Sequence, residues 1–263
     1  MLKAKVYVHL KVVRPFDPWR SKLCTCKEKF SFNPYTGCSH GCTYCYATYI
    51  PKFYELREKR NLFRSLESDL EKIPENSVIS MSNSSDPYPP VEKEREITRR
   101  CLEIIKDYNF KLLILTKSDI VVRDLDVLSE MRAVVSITIT GCDHLEPLAP
   151  KTEKRIEAFK KVKDSVPAVL RFDPIIPRLN EDKFWIIEKC DPDHLVTSTL
   201  KLKKKVENSE RVGKYYYLPR DLRFNLLKKV EDFCRSLGIS CAFCREGFDF
   251  KAKSCDGQHL FNL

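Results

Sequence analysis

Short apolar runs rich in β-branched residues alternate along the chain with longer amphipathic runs. Six apolar runs predict strands buried on both faces, at residues 30–33, 78–82, 110–116, 133–138, 168–172 and 194–198. Five amphipathic runs predict helices, at residues 55–72, 91–108, 151–163, 181–189 and 219–237. Strands that alternate with helices are typical of an α/β fold with a parallel sheet or barrel. Six such units are fewer than a closed eight-fold barrel needs.

Polar residues follow several of the predicted strands. Ligands bind at the carboxyl ends of strands in parallel sheets and barrels, so these residues are candidates for a binding site. They include residues 82–86 (SNSSD), Thr116-Lys117-Ser118, Asp173-Pro174 and Ser198-Thr199, with Ser136 and Thr138 inside the fourth strand. The first strand end differs from the others because cysteines follow it.

Composition excludes several classes of protein. The chain has 263 residues, 43% hydrophobic and 32% charged, which indicates a globular protein rather than a disordered one. Only 7 residues are glycine, and no Walker loop or dinucleotide fingerprint can be written from them. No long apolar run predicts a membrane span, and the basic N-terminal residues lack an apolar signal core. We therefore expect a cytoplasmic protein without membrane contact, and its Lys- and Glu-rich composition is typical of a thermophile.

Residues 33–46 read NPYTGCSHGCTYCY and contain the strongest chemical signal in the chain. Cys38, Cys42 and Cys45 have the spacing C-x3-C-x2-C, and three thiolates can hold three corners of a [4Fe–4S] cluster while one iron stays open. Gly37 and Gly41 would let the backbone wrap closely around the cluster. The alternative is a structural zinc ion with His40 or a distant cysteine as the fourth ligand. The spacing is unusual for a zinc knuckle, and we favour the cluster.

This loop resembles that of the radical S-adenosylmethionine (SAM) superfamily. The segments NPYTGCSHGCTYCYA, SDPYPPVEKEREITRRCLEII, LLILTKSDIVVRDLDVL, SITIT and RFDPIIPRLNED, in this order, look like its spore photoproduct lyase-like branch. The resemblance implies a partial (β/α)6 barrel, a [4Fe–4S] cluster on Cys38, Cys42 and Cys45, and SAM on the open iron. It also implies an electron donor of the ferredoxin or flavodoxin type. One electron would cleave SAM, and the resulting 5′-deoxyadenosyl radical would abstract hydrogen from a substrate.

The same resemblance implies roles for individual residues around SAM. Tyr44 would lie near the adenine, and Ser82, Asn83 and Ser84 would face the methionine group. Lys117 would approach the cofactor, Ser136 and Thr138 would lie near the ribose or carboxylate, and Pro174 would touch the adenine. Simpler interpretations stay open, because Lys117 could be a surface lysine, Ser136 and Thr138 could reflect strand propensity, and Asp173-Pro174 could be a turn.

The chain departs from the spore photoproduct lyase pattern at one position. That branch carries a cysteine in an S-C-x-S-D context, where it returns hydrogen to the product radical, and this chain has Asn83 there. Asparagine cannot donate a hydrogen atom. Tyr44 and Tyr46 match the relay tyrosines, so the catalytic candidates are Tyr44, Tyr46 and Asn83. The pattern argues against thymine-dimer repair by that route. Cys142 is a possible substitute donor, although a buried structural cysteine is the favoured interpretation.

Cysteines near both ends of the chain predict a second metal site. The candidates are Cys24 and Cys26 in an N-terminal extension (1–29), and Cys241, Cys244 and Cys255 in a C-terminal extension (201–263), which flank the barrel (30–200). An auxiliary iron–sulfur cluster and a zinc ion are about equally compatible with these cysteines. Disulfides are less favoured without a secretion signal. Cys101, Cys190 and Cys234 read as core thiols, and Cys234 could join the C-terminal group.

The net charge of +10 suggests an anionic partner. Residues 201–205 (KLKKK) and 211–220 (RVGKYYYLPR) combine basic groups with three tyrosines, which suits phosphate contacts and base stacking. The alternative is that the tyrosines pack on the barrel. We expect a radical SAM enzyme acting on DNA or tRNA. The alternatives are modification of a peptide or small metabolite, and a non-catalytic zinc protein that binds nucleic acid.

Overall fold

The computed structural model describes residues 9–16 and 22–262. Within them the chain forms thirteen strands. They are β1 (Val13–Pro15), β2 (Phe30–Phe32), β3 (Tyr35–Thr36), β4 (Arg57–Glu58), β5 (Val78–Met81), β6 (Lys111–Thr116), β7 (Arg132–Thr138), β8 (Ala168–Ile175), β9 (His194–Thr199), β10 (Lys201–Leu202), β11 (Glu210–Val212), β12 (Tyr215–Tyr217) and β13 (Ser240–Phe243). All six predicted strands are present, as β2 and β5 to β9.

The described residues also form seven α-helices. They are α1 (Leu62–Leu70), α2 (Glu92–Arg95), α3 (Ile97–Lys106), α4 (Leu125–Leu128), α5 (Thr152–Lys163), α6 (Trp185–Cys190) and α7 (Arg220–Ser236). The predicted helix over residues 91–108 is broken into α2 and α3, because Glu96 adopts a left-handed conformation between them. A 3-10 helix (Asp119–Asp124) and α4 connect β6 to β7. The sequence analysis missed both elements, since they are too short to show an amphipathic period.

The main sheet has eight strands in the order β1-β2-β5-β6-β7-β8-β9-β13. From β2 to β13 every neighbouring pair is parallel, and β1 is antiparallel to β2. The α/β fold with a parallel sheet and crossover helices is confirmed. The sheet is also larger than the six predicted strands, because β1 and β13 extend it at its two edges.

The strands carry different side chains on their two faces. Outward residues such as Leu112, Ile137 and Phe172 are fully buried in the main core, which also contains residues of the helices. In β7 the inward residues change from apolar to polar along the strand, since Val134 is followed by Ser136 and Thr138. This two-residue period explains why the runs read as buried on both faces.

The C-terminal segment closes the amino end of the sheet's inner face. Leu260, in a 3-10 helix (Gln258–Asn262), packs against Leu113, Val134, Val169 and Val196. At Gly257 an added Cβ would lie 2.6 Å from a Val169 methyl group, so only glycine allows this approach. The inner space that remains therefore lies toward the carboxyl ends of the strands.

A small antiparallel sheet of order β10-β12-β11 follows β9. The phenol of Tyr215, in β12, donates a hydrogen bond to the main-chain oxygen of Tyr46 at 3.1 Å, so this sheet contacts the cysteine loop. Among the described residues, no helix is both long and apolar enough to cross a membrane.

Candidate active site at the cysteine loop

One cavity at the carboxyl ends of the inner strands collects the predicted site. Cys38, Cys42 and Cys45 line it. So do all the residues predicted to contact the cofactor or to take part in catalysis, which are Tyr44, Tyr46, Ser82, Asn83, Ser84, Lys117, Ser136, Thr138 and Pro174. These residues come from the loop after β2 and from the ends of β5, β6, β7 and β8. The fold therefore brings them together from distant parts of the sequence.

Gly37 fixes where the cysteine loop begins. Its φ is +83°, and an added Cβ would lie 2.3 Å from the main-chain oxygen of Glu55 and 2.7 Å from that of Phe53. The next residue, Cys38, donates its N–H to the same Phe53 oxygen at 2.8 Å. No other residue fits this close approach of two backbone segments. The segment around Phe53 and Glu55 thus supports the start of the loop, and the three cysteines line the cavity.

The three loop thiols line the cavity, with Cys42 buried and Cys38 and Cys45 half-buried. Burial raises the pKa of Cys38 to about 12 and that of Cys42 to about 11. The N–H groups of His40 and Asp86 hydrogen-bond to Cys38, and the charge of Lys117 favours the Cys42 thiolate. Among the described residues, no three His, Cys, Asp or Glu side chains are arranged around a single metal ion. In an iron–sulfur cluster each thiolate binds a different iron, so the thiolates need not converge.

Both ring nitrogens of His40 lie next to oxygen atoms of the protein, which makes His40 a poor zinc ligand. Its Nε2 lies 3.2 Å from a carboxylate oxygen of Asp86, and its Nδ1 lies 3.4 Å from the main-chain oxygen of Leu148. Asp86 also accepts hydrogen bonds from the Thr116 hydroxyl and from the N–H of Lys117, both at 2.7 Å. Burial alone would raise the pKa of Asp86, but His40 and these hydrogen bonds lower it.

A buried carboxylate that the sequence analysis missed connects Tyr44 to Lys117. Glu146 accepts hydrogen bonds from the Tyr44 hydroxyl and from Arg155, and lies 3.5 Å from the Lys117 ammonium. Burial opposes its ionisation, but Lys117 and Arg155 outweigh burial and lower the pKa of Glu146 to about 2. The available signal was its position shortly after the fourth predicted strand, because Glu146 is the glutamate in the segment GCDHLEP (residues 141–147). Lys117 is thus a cavity residue and not a surface lysine.

Two serine hydroxyls in the cavity wall have no hydrogen-bond partner in the described part of the chain. They are the buried side chains of Ser82 and Ser136. A buried hydroxyl without a partner is costly. Both hydroxyls therefore fit a polar ligand bound in the cavity, such as the amino, carboxylate or ribose groups of SAM. Ser82 has a left-handed backbone with φ +71°, which is uncommon for a serine.

Comparisons with known proteins identify the family. Residues 32–189 match the family model described as the Radical SAM superfamily. An uncharacterized protein of Methanocaldococcus jannaschii is 32% identical over 192 residues, which cover 69% of this chain and 72% of that protein. The chain belongs to the radical SAM superfamily. Membership implies SAM and a [4Fe–4S] cluster, and the cysteine loop and the unpartnered hydroxyls fit both groups.

Solved structures agree with this radical SAM fold. A spore photoproduct lyase variant superposes with a TM-score of 0.63 at 15% identity, covering 90% of this chain and 79% of that chain. A spore photoproduct lyase complexed with dinucleoside spore photoproduct gives 0.58 at 19% identity, covering 88% and 76%. The predicted partial barrel is therefore confirmed, and at these identities the likeness shows the fold alone.

Asn83 and Tyr46 contact each other in this radical SAM protein. The Tyr46 hydroxyl donates to the Asn83 main-chain oxygen at 2.6 Å. The Asn83 side-chain amide donates to the Ser31 hydroxyl at 2.9 Å and to the Ser80 main-chain oxygen at 3.0 Å, which holds it against the sheet. Cys142 is fully buried and is not among the residues that line the cavity. The structure therefore does not support Cys142 as a substitute hydrogen donor.

The fifth predicted strand is longer than expected and carries charge into the cavity. The sequence analysis ended it at residue 172, whereas β8 continues to Ile175, with an irregular register between Phe172 and Ile175. Asp173 accepts hydrogen bonds from Arg171 at 2.8 Å and from Ser198 at 2.6 Å. Asp173-Pro174 is therefore part of a strand and not a turn. Asp173 and Ser198, which were candidates from their positions after predicted strands, line the cavity, and so does Arg171, which the sequence analysis did not single out.

The outer cysteines of this radical SAM protein separate into two groups. Cys24, Cys26, Cys244 and Cys255 line the same cavity and are joined by hydrogen bonds between thiols. Cys241 hydrogen-bonds instead to Cys234. Cys241, which we predicted as part of the second site, therefore lies apart from the other four cysteines. In a strand, adjacent side chains alternate between faces, and Cys241 lies on β13 with its side chain toward α7.

Two of the three tyrosines of β12 are buried. Tyr215 and Tyr217 are buried, and the ammonium of Lys201 lies 4.2 Å from the centre of the Tyr217 ring. Lys201 also pairs with the buried carboxylate of Glu246. These tyrosines and Lys201 support the alternative interpretation, in which they are structural and do not stack on bases. The remaining lysines of the KLKKK segment, at positions 203 to 205, are exposed.

Proposed function

We propose that this protein cleaves SAM reductively at a [4Fe–4S] cluster bound by Cys38, Cys42 and Cys45, and that it abstracts hydrogen from a nucleic acid. The observation that carries the proposal is the shared cavity. Three loop thiols and the unpartnered hydroxyls of Ser82 and Ser136 face the same space. That space suits a cluster with an adjoining polar cofactor.

The bound cluster would supply the electron that cleaves SAM, and the 5′-deoxyadenosyl group would then take hydrogen from the substrate. Lys117 and Glu146 form an ion pair beside Tyr44, with the Lys117 ammonium 5.6 Å from the centre of the tyrosine ring. We expect this arrangement to hold the Tyr44 ring in place next to the adenine. Ser82 and Ser136 would donate or accept hydrogen bonds at the methionine and ribose groups.

The surface next to the loop supports a nucleic acid as substrate. Tyr49 and Tyr54 are 41% and 52% exposed, and the Tyr54 hydroxyl donates to the Cys42 main-chain oxygen at 3.3 Å. The ammonium of Lys214 lies 5.0 Å from the centre of the Tyr49 ring, and Lys203 donates to Thr48. Exposed aromatic rings next to ammonium groups suit stacking on bases with contacts to phosphates. A dinucleoside ligand in a spore photoproduct lyase of similar fold is consistent with this class.

In the spore photoproduct lyase pattern, a cysteine at the end of β5 returns hydrogen to the product radical. In our proposal this chain does not use that step. Asn83 occupies that position and its amide is bound to Ser31 and Ser80. We infer that the product forms without hydrogen from this side chain. A modification of the nucleic acid fits this better than dimer repair by the cysteine route.

The test of the substrate class is the release of 5′-deoxyadenosine from SAM by the anaerobically reconstituted protein and a reductant. Single-stranded DNA, duplex DNA and tRNA are added separately. We expect at least one of them to bind and to raise the release rate. Replacing Lys203, Lys204 and Lys205 with alanine should weaken binding and reduce the salt slope of log K by about 3. If no nucleic acid binds or stimulates, the proposed substrate class is wrong.

A matched control for the triple lysine variant is available on helix α5. Lys154, Lys160 and Lys161 are exposed on α5, and replacing all three with alanine removes the same charge. We expect this variant to bind nucleic acid nearly as the wild type does. Equal losses in both triple variants would mean that only net charge matters, and would contradict a binding surface at the loop.

A further inference from the structure

Four cysteines from three parts of the chain meet in the wall of the central cavity. Thiol hydrogen bonds join Cys24 to Cys26, Cys26 to Cys255, and Cys255 to Cys244. All four line the cavity that also contains the cysteine loop. A continuous group of four thiols, formed by residues more than 200 positions apart in sequence, is not produced by local packing alone.

The four thiols are positioned by three different local structures. Cys24 and Cys26 precede β2, the first inner strand. Cys244 directly follows β13, and its N–H donates to the Thr197 main-chain oxygen of β9 at 2.7 Å. Cys255 lies two residues before Gly257, which is fixed by its close approach to Val169. The group therefore joins the β2 side of the main sheet to its edge at β13.

Cationic side chains lie near two of the four thiols, Cys26 and Cys244. Lys29, Arg171 and Arg245 act on them electrostatically: Lys29 and Arg171 on Cys26, and Arg171 and Arg245 on Cys244. Lys29 also pairs with Asp256, and Arg171 with Asp173, so the cations are themselves held in place. Four thiolates on a metal centre carry net negative charge, and buried negative charge needs nearby positive charge. Lys29, Arg171 and Arg245 could supply that charge beside Cys26 and Cys244.

The geometry favours an iron–sulfur cluster over a zinc ion. Zinc knuckles use both cysteines of a C-x2-C pair on one ion. Here that pair is divided, because Cys244 joins the group of four and Cys241 bonds to Cys234. Among the described residues no side chains are gathered around one ion. A [4Fe–4S] cluster needs four thiolate ligands, one for each iron, and this group supplies four.

We propose that Cys24, Cys26, Cys244 and Cys255 bind a second [4Fe–4S] cluster in the wall of the active-site cavity. Because four cysteines fill one position on each iron, no iron is left for a substrate. The second cluster would therefore exchange electrons and would not bind substrate. This inference does not depend on the proposed cleavage of SAM or on its substrate.

The test uses the full chain with Cys38, Cys42 and Cys45 replaced by alanine, so that the loop cluster is absent. After anaerobic reconstitution with iron and sulfide, followed by gel filtration, we expect about four irons and four sulfides per chain, against about eight of each in the wild type. Adding Cys244→Ser or Cys26→Ser should remove most of the remaining iron. Adding Cys241→Ser, the other half of the C-x2-C pair, should leave it in place.

The outcomes separate the alternatives. Zinc without iron in the triple-alanine protein, with or without reconstitution, would overturn the second cluster. Iron that survives Cys244→Ser and Cys26→Ser would overturn the assignment of its ligands. Far-UV circular dichroism identifies a variant that has failed to fold, and the two serine variants lie in different parts of the chain, so misfolding of one leaves the other informative.

Discussion

The imidazole of His40 and the carboxylate of Asp86 face each other at 3.2 Å, and both side chains are buried. His40 lies between Cys38 and Cys42 in the cysteine loop, and Asp86 follows β5. Asp86 also binds the Thr116 hydroxyl and the Lys117 N–H at the end of β6. One carboxylate therefore connects the loop to two strand ends.

We predict that Asp86→Asn lowers the free energy of unfolding by about 3 kcal/mol, because it removes a buried charge that has four polar partners. They are the His40 ring, the Thr116 hydroxyl and the N–H groups of Lys117 and Tyr88. It should also reduce the iron retained by the loop. The control is Asp126→Asn, since the Asp126 carboxylate is 60% exposed and pairs with Arg99 at the surface. That change should cost less than about 1 kcal/mol. Urea unfolding of the iron-free chains measures both effects, and equal costs would contradict the role given to Asp86.

Ser82→Ala and Ser136→Ala should each weaken SAM binding without destabilising the fold. Neither hydroxyl has a hydrogen-bond partner in the described structure, so its loss costs the empty protein nothing in hydrogen bonding. We expect the dissociation constant for SAM to rise about tenfold in each variant. Equilibrium dialysis on the reconstituted protein measures the constant.

Ser80→Ala is the matched control for these variants. The Ser80 hydroxyl donates to the Asn83 side chain at 3.0 Å, so its removal should destabilise the fold by about 1 kcal/mol. Loss of stability in Ser82→Ala and Ser136→Ala, together with unchanged SAM binding, would mean that these hydroxyls serve the fold and not the cofactor.

Gly37→Ala should prevent the cysteine loop from forming. The added methyl group would collide with two main-chain oxygens. Gly238→Ala is the control, because Gly238 has a similar φ of +71° but no atom within 4 Å of an added Cβ. Backbone strain alone should cost about 1–2 kcal/mol at Gly238. We expect a severalfold larger loss at Gly37, together with loss of the loop iron. Similar results in urea unfolding and iron analysis for the two variants would refute the close-approach argument.

His194 should make the stability of the fold depend on pH. Burial, with a smaller effect of His259, lowers the pKa of His194 to about 4 from its ordinary 6.5. The folded state therefore disfavours the charged ring, and stability is complete above pH 6.5 and falls as the pH drops toward 4. At pH 5 the loss is about 2 kcal/mol. Its Nε2 donates to the Ser254 main-chain oxygen at 3.1 Å, which fixes the C-terminal segment.

The measurement for His194 is the free energy of unfolding at pH 7.5 and pH 5, compared with His194→Gln. The glutamine variant should be less stable at pH 7.5 but should lose about 2 kcal/mol less than the wild type between the two pH values. If both proteins lose the same amount, another group causes the pH dependence.

Local sequence patterns predicted the inner strands and the cysteine loop, because buried parallel strands and clustered ligands are recorded in short runs of residues. They could not predict that Glu146 would meet Tyr44, or that Asp86 would meet His40. Those contacts depend on how separate strand ends come together. The position of Cys241 was unpredictable for the same reason. Its spacing to Cys244 suggested one shared site, but the two side chains point to opposite faces of the strand and bond to different thiols.

The measurement that tests the central claim most directly is 5′-deoxyadenosine release from SAM by the reconstituted protein with dithionite. We expect release by the wild type and by Cys142→Ala, whose thiol is buried outside the cavity. Cys42→Ala should reduce release to the background without enzyme, because it removes one ligand of the loop cluster. Release by Cys42→Ala at the wild-type rate, or none from an iron-loaded wild type, would contradict a radical SAM active site at this loop.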